Sequence, residues 1–199
     1  VLSDNAPYDN RKNVRDLLEI EGHFFTVGRL DLESEGLMIL TNDGELTNRL
    51  THPRYGHEKE YMVLVAKRPD EEQLEIWRRG VVLEDGFKTS PTKVIIHKWH
   101  GKGAWLKVIL REGHKRQIRE IGRAIGLPIV KLIRVRIASI NLGNLKPGEW
   151  RYLTSDEIKE LKFSAEGKPR TQENRKIRKY SPKVRQEKLM ERPSYQKKK

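Results

Sequence analysis

The amino-acid sequence predicts an α+β fold in which hairpins dominate and β-α-β crossovers are few. Three observations predict it. Lys93 to Trp99 and Ala104 to Leu110 are apolar-rich runs on either side of His100-Gly101-Lys102-Gly103, the pattern of a hairpin. Glu60 to Ala66 alternates, placing Tyr61, Val63 and Val65 on one face of a strand. His114 to Ile125 instead has Ile118, Ile121 and Ile125 at helical spacing, and no regular strand-helix alternation runs along the chain.

The elements follow in order. Asn13 to Leu18 predicts a short helix, with Val14, Leu17 and Leu18 on its apolar side. A strand over 24–30 and another over 37–41 flank a loop, and Asn42-Asp43-Gly44 is a turn. Glu45 to Thr51 predicts a helix that Pro53 stops. Pro69-Asp70 opens a helix carrying Leu74 and Trp77, which Gly80 ends. Val81 to Leu83 predicts a short strand, followed by an Asp85-Gly86 turn. Gly126 stands where a C′ glycine closes the 114–125 helix, with Pro128 just beyond. Ile129 to Leu142 supplies β-branched strands, and Thr154 with Glu157 has capping-box spacing for a last helix over 156–163.

Composition narrows the function. The 199 residues suit one domain with extensions. Lys+Arg number 41 against 28 Asp+Glu, a net charge of +13, which favours a polyanionic partner such as nucleic acid. The charge is uneven. From Ser164 onward 13 cationic and 4 acidic residues give +9, and apolar residues are sparse. Residues 164–199 are therefore expected to form a basic, disordered tail that binds nucleic acid through phosphates or serves as a solubilising or import-related extension, and residues 1–163 the folded domain. No cysteine is present, which excludes disulfides, a thiol nucleophile and Cys-based zinc sites. The six histidines lack metal-ligand spacing, and no stretch resembles a signal peptide or a membrane span.

Gly28-Arg29-Leu30-Asp31-Leu32-Glu33-Ser34-Glu35-Gly36-Leu37 is the most informative stretch. Apolar runs lead into it and out of it, so Asp31 sits on a connection held by strands, where a side chain is both presented and fixed. By that criterion alone Asp31 is as well read as a solvated turn residue. Glu33 and Glu35 beside it raise the possibility of a Mg²⁺ site, but no second acidic cluster or phosphate-cradling glycine loop accompanies them.

The stretch resembles the signature of ribosomal RNA pseudouridine synthases, in the branch of the bacterial small-subunit enzyme and its large-subunit relatives. The resemblance continues through Leu40-Thr41-Asn42-Asp43-Gly44-Glu45-Leu46, Lys59-Glu60-Tyr61, Glu112-Gly113-His114-Lys115-Arg116-Gln117-Ile118-Arg119, Leu132-Ile133-Arg134-Val135-Arg136-Ile137 and Leu145-Lys146-Pro147-Gly148-Glu149-Trp150-Arg151. These blocks stand in the family's order and cover most of residues 14–154. The wording at 31–36 and 40–46 is most like the large-subunit enzymes.

The resemblance implies a long mixed, mostly antiparallel sheet with flanking helices and a central catalytic cleft. It implies isomerisation of one uridine of ribosomal RNA, of the large subunit by preference, without metal or other cofactor. Asp31 would be the catalytic carboxylate, acting on sugar or base. Arg119 would be the guanidinium that keeps it charged, and Tyr61 the aromatic platform for a flipped base. Arg29 would fill the space the uridine leaves, and Leu132 would line the pocket under the uracil. Ile118 would be a further substrate contact, and Lys115 and Arg116 would meet phosphate. The residues alone read more plainly: Tyr61 and Leu132 as strand core, Arg119 and Arg29 as solvated cations. The chain would begin just after the family's Lys-Pro-x-Gly motif, with a truncated start and without the small S4-like RNA-binding domain that many relatives carry. A monomer acting on ribosomal RNA or a pre-ribosomal particle is expected, with no membrane partner, in the cytoplasm of a bacterium or in an organelle of a eukaryote. The alternative is a non-catalytic RNA-binding or ribosome-assembly factor on the same fold.

Overall fold

The computed structural model describes residues 13–18 and 22–166. Beyond a 3-10 turn at Val14–Leu17, the order is β1 (Phe25–Thr26), β2 (Glu35–Gly36), β3 (Leu40–Thr41), α1 (Gly44–Thr51), β4 (Lys59–Val65) and α2 (Glu71–Arg79). Then come β5 (Lys93–His100), β6 (Gly103–Leu110), α3 (Gln117–Ala124), β7 (Ile129–Ile137), β8 (Ile140–Asn141) and α4 (Ser155–Glu166). One six-stranded sheet has the order β2-β7-β4-β6-β5, with β8 added on β7, while β1 and β3 form a separate pair. β2 runs parallel to β7 and the other pairings are antiparallel, so the sheet is mixed and mostly antiparallel as expected.

β4 is the centre of the sheet because its two faces differ. Val63 and Val65 are fully buried with Leu74 and Trp77 of α2, Leu106 and Val108 of β6, and Ile118 and Ile121 of α3. On the opposite face Glu60 is held by Lys107 and Arg136, which tie β4 to its neighbours β6 and β7. A second core gathers Val27, Leu37 and Ile39 around Leu50, Ile137, Ile140 and Leu161. The loop between β1 and β2 thus has a packed segment at each end.

Local signals set the helices. Asp43 caps α1 by accepting from the Leu46 amide at 2.8 Å. Asp70 and Gln73 form a capping box at the start of α2. α3 begins at Gln117 rather than His114, because Arg116 adopts a left-handed conformation with φ 54°. The strands predicted over 24–30 and 37–41 shrink to two residues each, and 81–83 contributes only a bridge between Val82 and Lys88. The boundary expected at 163/164 falls inside α4, which runs to Glu166 because Ala165 packs into the second core. The remainder of the predicted basic tail and the expected truncated start lie outside the described residues.

Candidate active site

The Asp31 loop is shaped by a buried arginine. Arg134 of β7 is 1% exposed, and its guanidinium reaches under the loop from end to end. Its Nη1 donates to the Arg29 carbonyl at 3.1 Å, its Nε donates to the Leu37 carbonyl at 2.8 Å, and its Nη2 meets the Met38 sulfur at 3.3 Å. Bonds from a buried cation to carbonyls are stronger than neutral ones and offset the cost of removing the charge from water. Gly36 permits the approach. Its φ is 112°, and a Cβ there would lie 2.2 Å from the Arg134 carbonyl oxygen. A turn with the Ser34 amide donating to the Asp31 carbonyl at 2.9 Å closes the loop tip.

Tyr61 lies opposite Arg134 across the β4–β7 pairing, so the phenol and the guanidinium share one face. Burial pushes the Tyr61 phenol above its ordinary pKa; the facing Arg134 pulls it down, and the Asp31 carboxylate adds to the rise. The hydroxyl therefore stays protonated at neutral pH, within the electrostatic reach of Asp31. Two strand positions earlier, burial pulls Lys59 down to about 8, with Arg134 adding to the fall.

Arg119 is placed differently from the expectation. Its Nη2 donates to the Glu33 carbonyl at 2.7 Å, and its Nε lies 3.6 Å from the Glu33 carboxylate. Arg116 donates to the same carboxylate at 3.1 Å. The guanidinium expected on Asp31 is thus on Glu33, two residues along the same loop, because α3 presents Arg116 and Arg119 side by side to the loop's outer rim. The Arg119 Nε is buried without a hydrogen-bond partner. Gln117 anchors the start of α3: it accepts from the His114 amide at 3.1 Å and donates to Glu112 at 2.7 Å.

Asp31, Arg29 and Lys115 line one cavity of about 1110 Å³. Ile118 and Leu132 do not line it; they are closed into the core, with Tyr61 packed against the same cluster. The acidic neighbours of Asp31 are each engaged by cations, Glu33 by α3 and Glu35 by Lys131 at 3.1 Å. Among the described residues no group of three or more His, Asp or Glu is placed to hold a metal ion, and no helix is long and apolar enough to cross a membrane.

The site therefore joins residues that the motif reading singled out with three that it did not. Asp31 and Arg29 share the cavity, Tyr61 lies outside its lining but within electrostatic reach of Asp31, and Arg119 and Arg116 converge on the same loop. Arg134, Lys59 and Gln117 were inside the quoted motifs but carried no role: burial of a charged side chain leaves no mark in a strand's alternation, and the Gln117 contacts depend on where α3 begins.

The family model for RNA pseudouridylate synthase matches residues 3–122. An uncharacterised RNA pseudouridine synthase of Aquifex aeolicus is 42% identical over 160 residues, covering 80% of this chain and 64% of that protein. Ribosomal large subunit pseudouridine synthase E of Vibrio parahaemolyticus is 38% identical, covering 75% and 68%. Ribosomal large subunit pseudouridine synthase B of Bacillus subtilis is 38% identical, covering 83% and 69%. A crystal structure of a pseudouridylate synthase superposes with a TM-score of 0.70 at 29% identity, covering 75% of this chain and 65% of that one. The chain spans about two thirds of the length of these relatives.

Proposed function

This chain belongs to the RNA pseudouridylate synthase family, and from that premise we propose that it isomerises a uridine of large-subunit ribosomal RNA to pseudouridine. The reaction breaks the N1–C1′ bond of the uridine, turns the base, and joins C5 to C1′. The proton on C5 leaves and N1 gains one, so nothing is oxidised or reduced and no nucleotide is consumed. What the protein must supply is a carboxylate, a dry pocket and a platform for a base taken out of its stack.

The observation that carries the reading is that buried Arg134 holds both ends of the Asp31 loop and faces Tyr61 across the β4–β7 pairing. Asp31 supplies the carboxylate that acts on the uridine. Tyr61 carries the base on its ring and keeps a protonated hydroxyl next to the reacting atoms. Leu132 and Ile118 form the apolar floor behind that ring. Arg29 and Lys115, both open to the cavity, meet the RNA backbone and the space left by the flipped nucleotide. Arg119 has a free donor, its Nε, and turns from Glu33 to Asp31 when RNA phosphate takes over Arg116. In that position its planar fork holds the carboxylate ionised as the base excludes water. The enzyme acts as a monomer, on ribosomal RNA or a pre-ribosomal particle, in the compartment where ribosomes are assembled.

The test is direct. Purified protein is incubated with a large-subunit ribosomal RNA transcript, and pseudouridine is mapped by carbodiimide modification and primer extension. One new stop with the parent protein, absent with Asp31→Asn, is the expected result. RNA binding without any product from the parent would leave an assembly factor on this fold instead.

A further inference from the structure

β5 is the edge strand of the sheet, and its last residues carry features that isomerisation does not use. Trp99 is 53% exposed at the end of the strand. The Arg68 guanidinium lies 5.3 Å from its ring centroid, on the chain leaving β4. Lys98 and His100 flank Trp99 along the edge strand, on its other face by alternation, and Lys102 follows at the hairpin tip, all exposed. Elsewhere several cations are neutralised, as Arg78, Arg111, Arg123, Lys131, Arg136 and Arg151 are by carboxylates. Among the described residues Arg68, Lys98 and Lys102 take part in no salt bridge, and 93–103 contains no acidic residue. Of the acidic residues that open α2, Asp70 is spent on the cap and Glu71 on Arg78, and Glu72 is exposed without an ion pair among the described residues.

Protection of the edge does not explain this surface. Lysines and the register shift between Ile96 and Lys98 do blunt an edge strand against pairing. An exposed tryptophan does the opposite, since it adds a sticky apolar face. An exposed aromatic ring under a guanidinium, at an edge that carries unpaired lysines, has the chemistry that single-stranded nucleic acid recognises: a base stacks on the ring and phosphates meet the cations. The platform is also rigid. Gly103 packs so closely on β4 that a Cβ there would lie 2.0 Å from the Val65 carbonyl oxygen.

We propose that Trp99, Arg68, Lys98 and Lys102 form a second RNA-binding surface, which holds an unpaired nucleotide of the substrate away from the cleft. The proposal rests on the reading of the substrate as RNA. Trp99 pairs with Ala104, which pairs with Val65, so the ring lies on the same sheet face as Tyr61. It is two strands across and four residues along from Tyr61, roughly 16 Å by strand geometry. A run of a few nucleotides bridges that gap.

The test uses the full chain and two RNAs. Binding of a fluorescein-labelled 20-nucleotide oligouridylate is titrated by anisotropy at several salt concentrations. Pseudouridine formation on the large-subunit transcript is followed in single turnover at saturating protein. Trp99→Ala is expected to weaken oligouridylate binding about tenfold, and Trp99→Phe to keep most of the affinity. Lys98→Ala with Lys102→Ala is expected to lower the slope of log K against log salt by about 1.4. The saturated single-turnover rate is expected to be that of the parent in all of them. Oligouridylate binding by Trp99→Ala equal to the parent's overturns the proposal. So does an equal loss of heparin binding in Trp99→Ala, which would make the surface a general polyanion or protein-docking site. Absence of pseudouridine with the parent would instead overturn the isomerase reading, and the binding comparison would stand by itself.

Discussion

The two sides of the Asp31 loop are held by arginines used in opposite ways. On the inner side Arg134 is buried and spends its donors on two backbone carbonyls, those of Arg29 and Leu37. On the outer side Arg116 donates to the Glu33 carboxylate, which is largely exposed, while Arg119 donates to the Glu33 backbone carbonyl and lies 3.6 Å from that carboxylate. A cation bonded to buried carbonyls has no competitor, because no solute can reach those oxygens. A cation bonded to an exposed carboxylate is in a contact that phosphate can replace. The inner arginine therefore fixes where the loop is, and Arg116 on the outer side can change partners while the loop stays in place.

The largest effect lies between the two sides. Asp31→Asn is expected to abolish isomerisation while leaving the fold and RNA affinity close to the parent's, since it removes a charge and keeps the shape. Appreciable product from the purified variant in a single turnover would show that the carboxylate does not act on the uridine.

Breaking the inner side comes next. Arg134→Met keeps the apolar length of the side chain but strips two buried carbonyls of their donors. A loss of about 2–6 kcal/mol of folding stability is expected, as for two buried acceptors each left without a donor. Urea denaturation measures it, and a loss below 1 kcal/mol would show that the loop holds its shape without this arginine.

Lys59 tests the same inner region through pH. Its folded pKa of about 8 lies below the ordinary 10.5, so between those values the unfolded chain binds more protons than the folded one. The contribution of Lys59 to stability thus rises as pH increases from 8 to 10.5, by on the order of 3 kcal/mol over the window. In Lys59→Met that rise is expected to vanish. Parent and variant are compared by denaturant midpoints across the window, and parallel profiles would show that Lys59 is not desolvated.

The outer side is expected to give the smallest effects, and on function rather than folding. Arg119→Lys keeps the charge and loses the planar fork, so the saturated single-turnover rate is expected to fall more than tenfold, about 1.4 kcal/mol of barrier, with RNA affinity nearly unchanged. Glu33→Gln is expected to raise RNA affinity a few-fold, because the carboxylate no longer competes with phosphate for Arg116. Unchanged affinity in Glu33→Gln, with a lost turnover rate, would instead make the outer contact as structural as the inner one.

Much of the fold could be read from the chain by itself. Alternation identified β4 and the β5–β6 hairpin, and Pro69-Asp70 marked the start of α2, where Asp70 is the cap. Those signals are local, and so survive in one dimension. The errors share one cause, which is that tertiary contacts decide where elements stop. α3 loses a turn because Arg116 takes a left-handed conformation, and α4 gains three residues because Ala165 has a core to enter.

The site divides the same way. The sequence alone determined the α+β class, the excess of cations, and the motif that sets Asp31 between strands, because residue type and spacing carry them. Only the tertiary structure decided that Arg134 lies under that loop, that Glu33 holds Arg119, and that Lys59 is desolvated. Those facts depend on pairings 86 to 105 residues apart, or on burial in a sheet, and burial is a property of the assembled neighbours rather than of the residue.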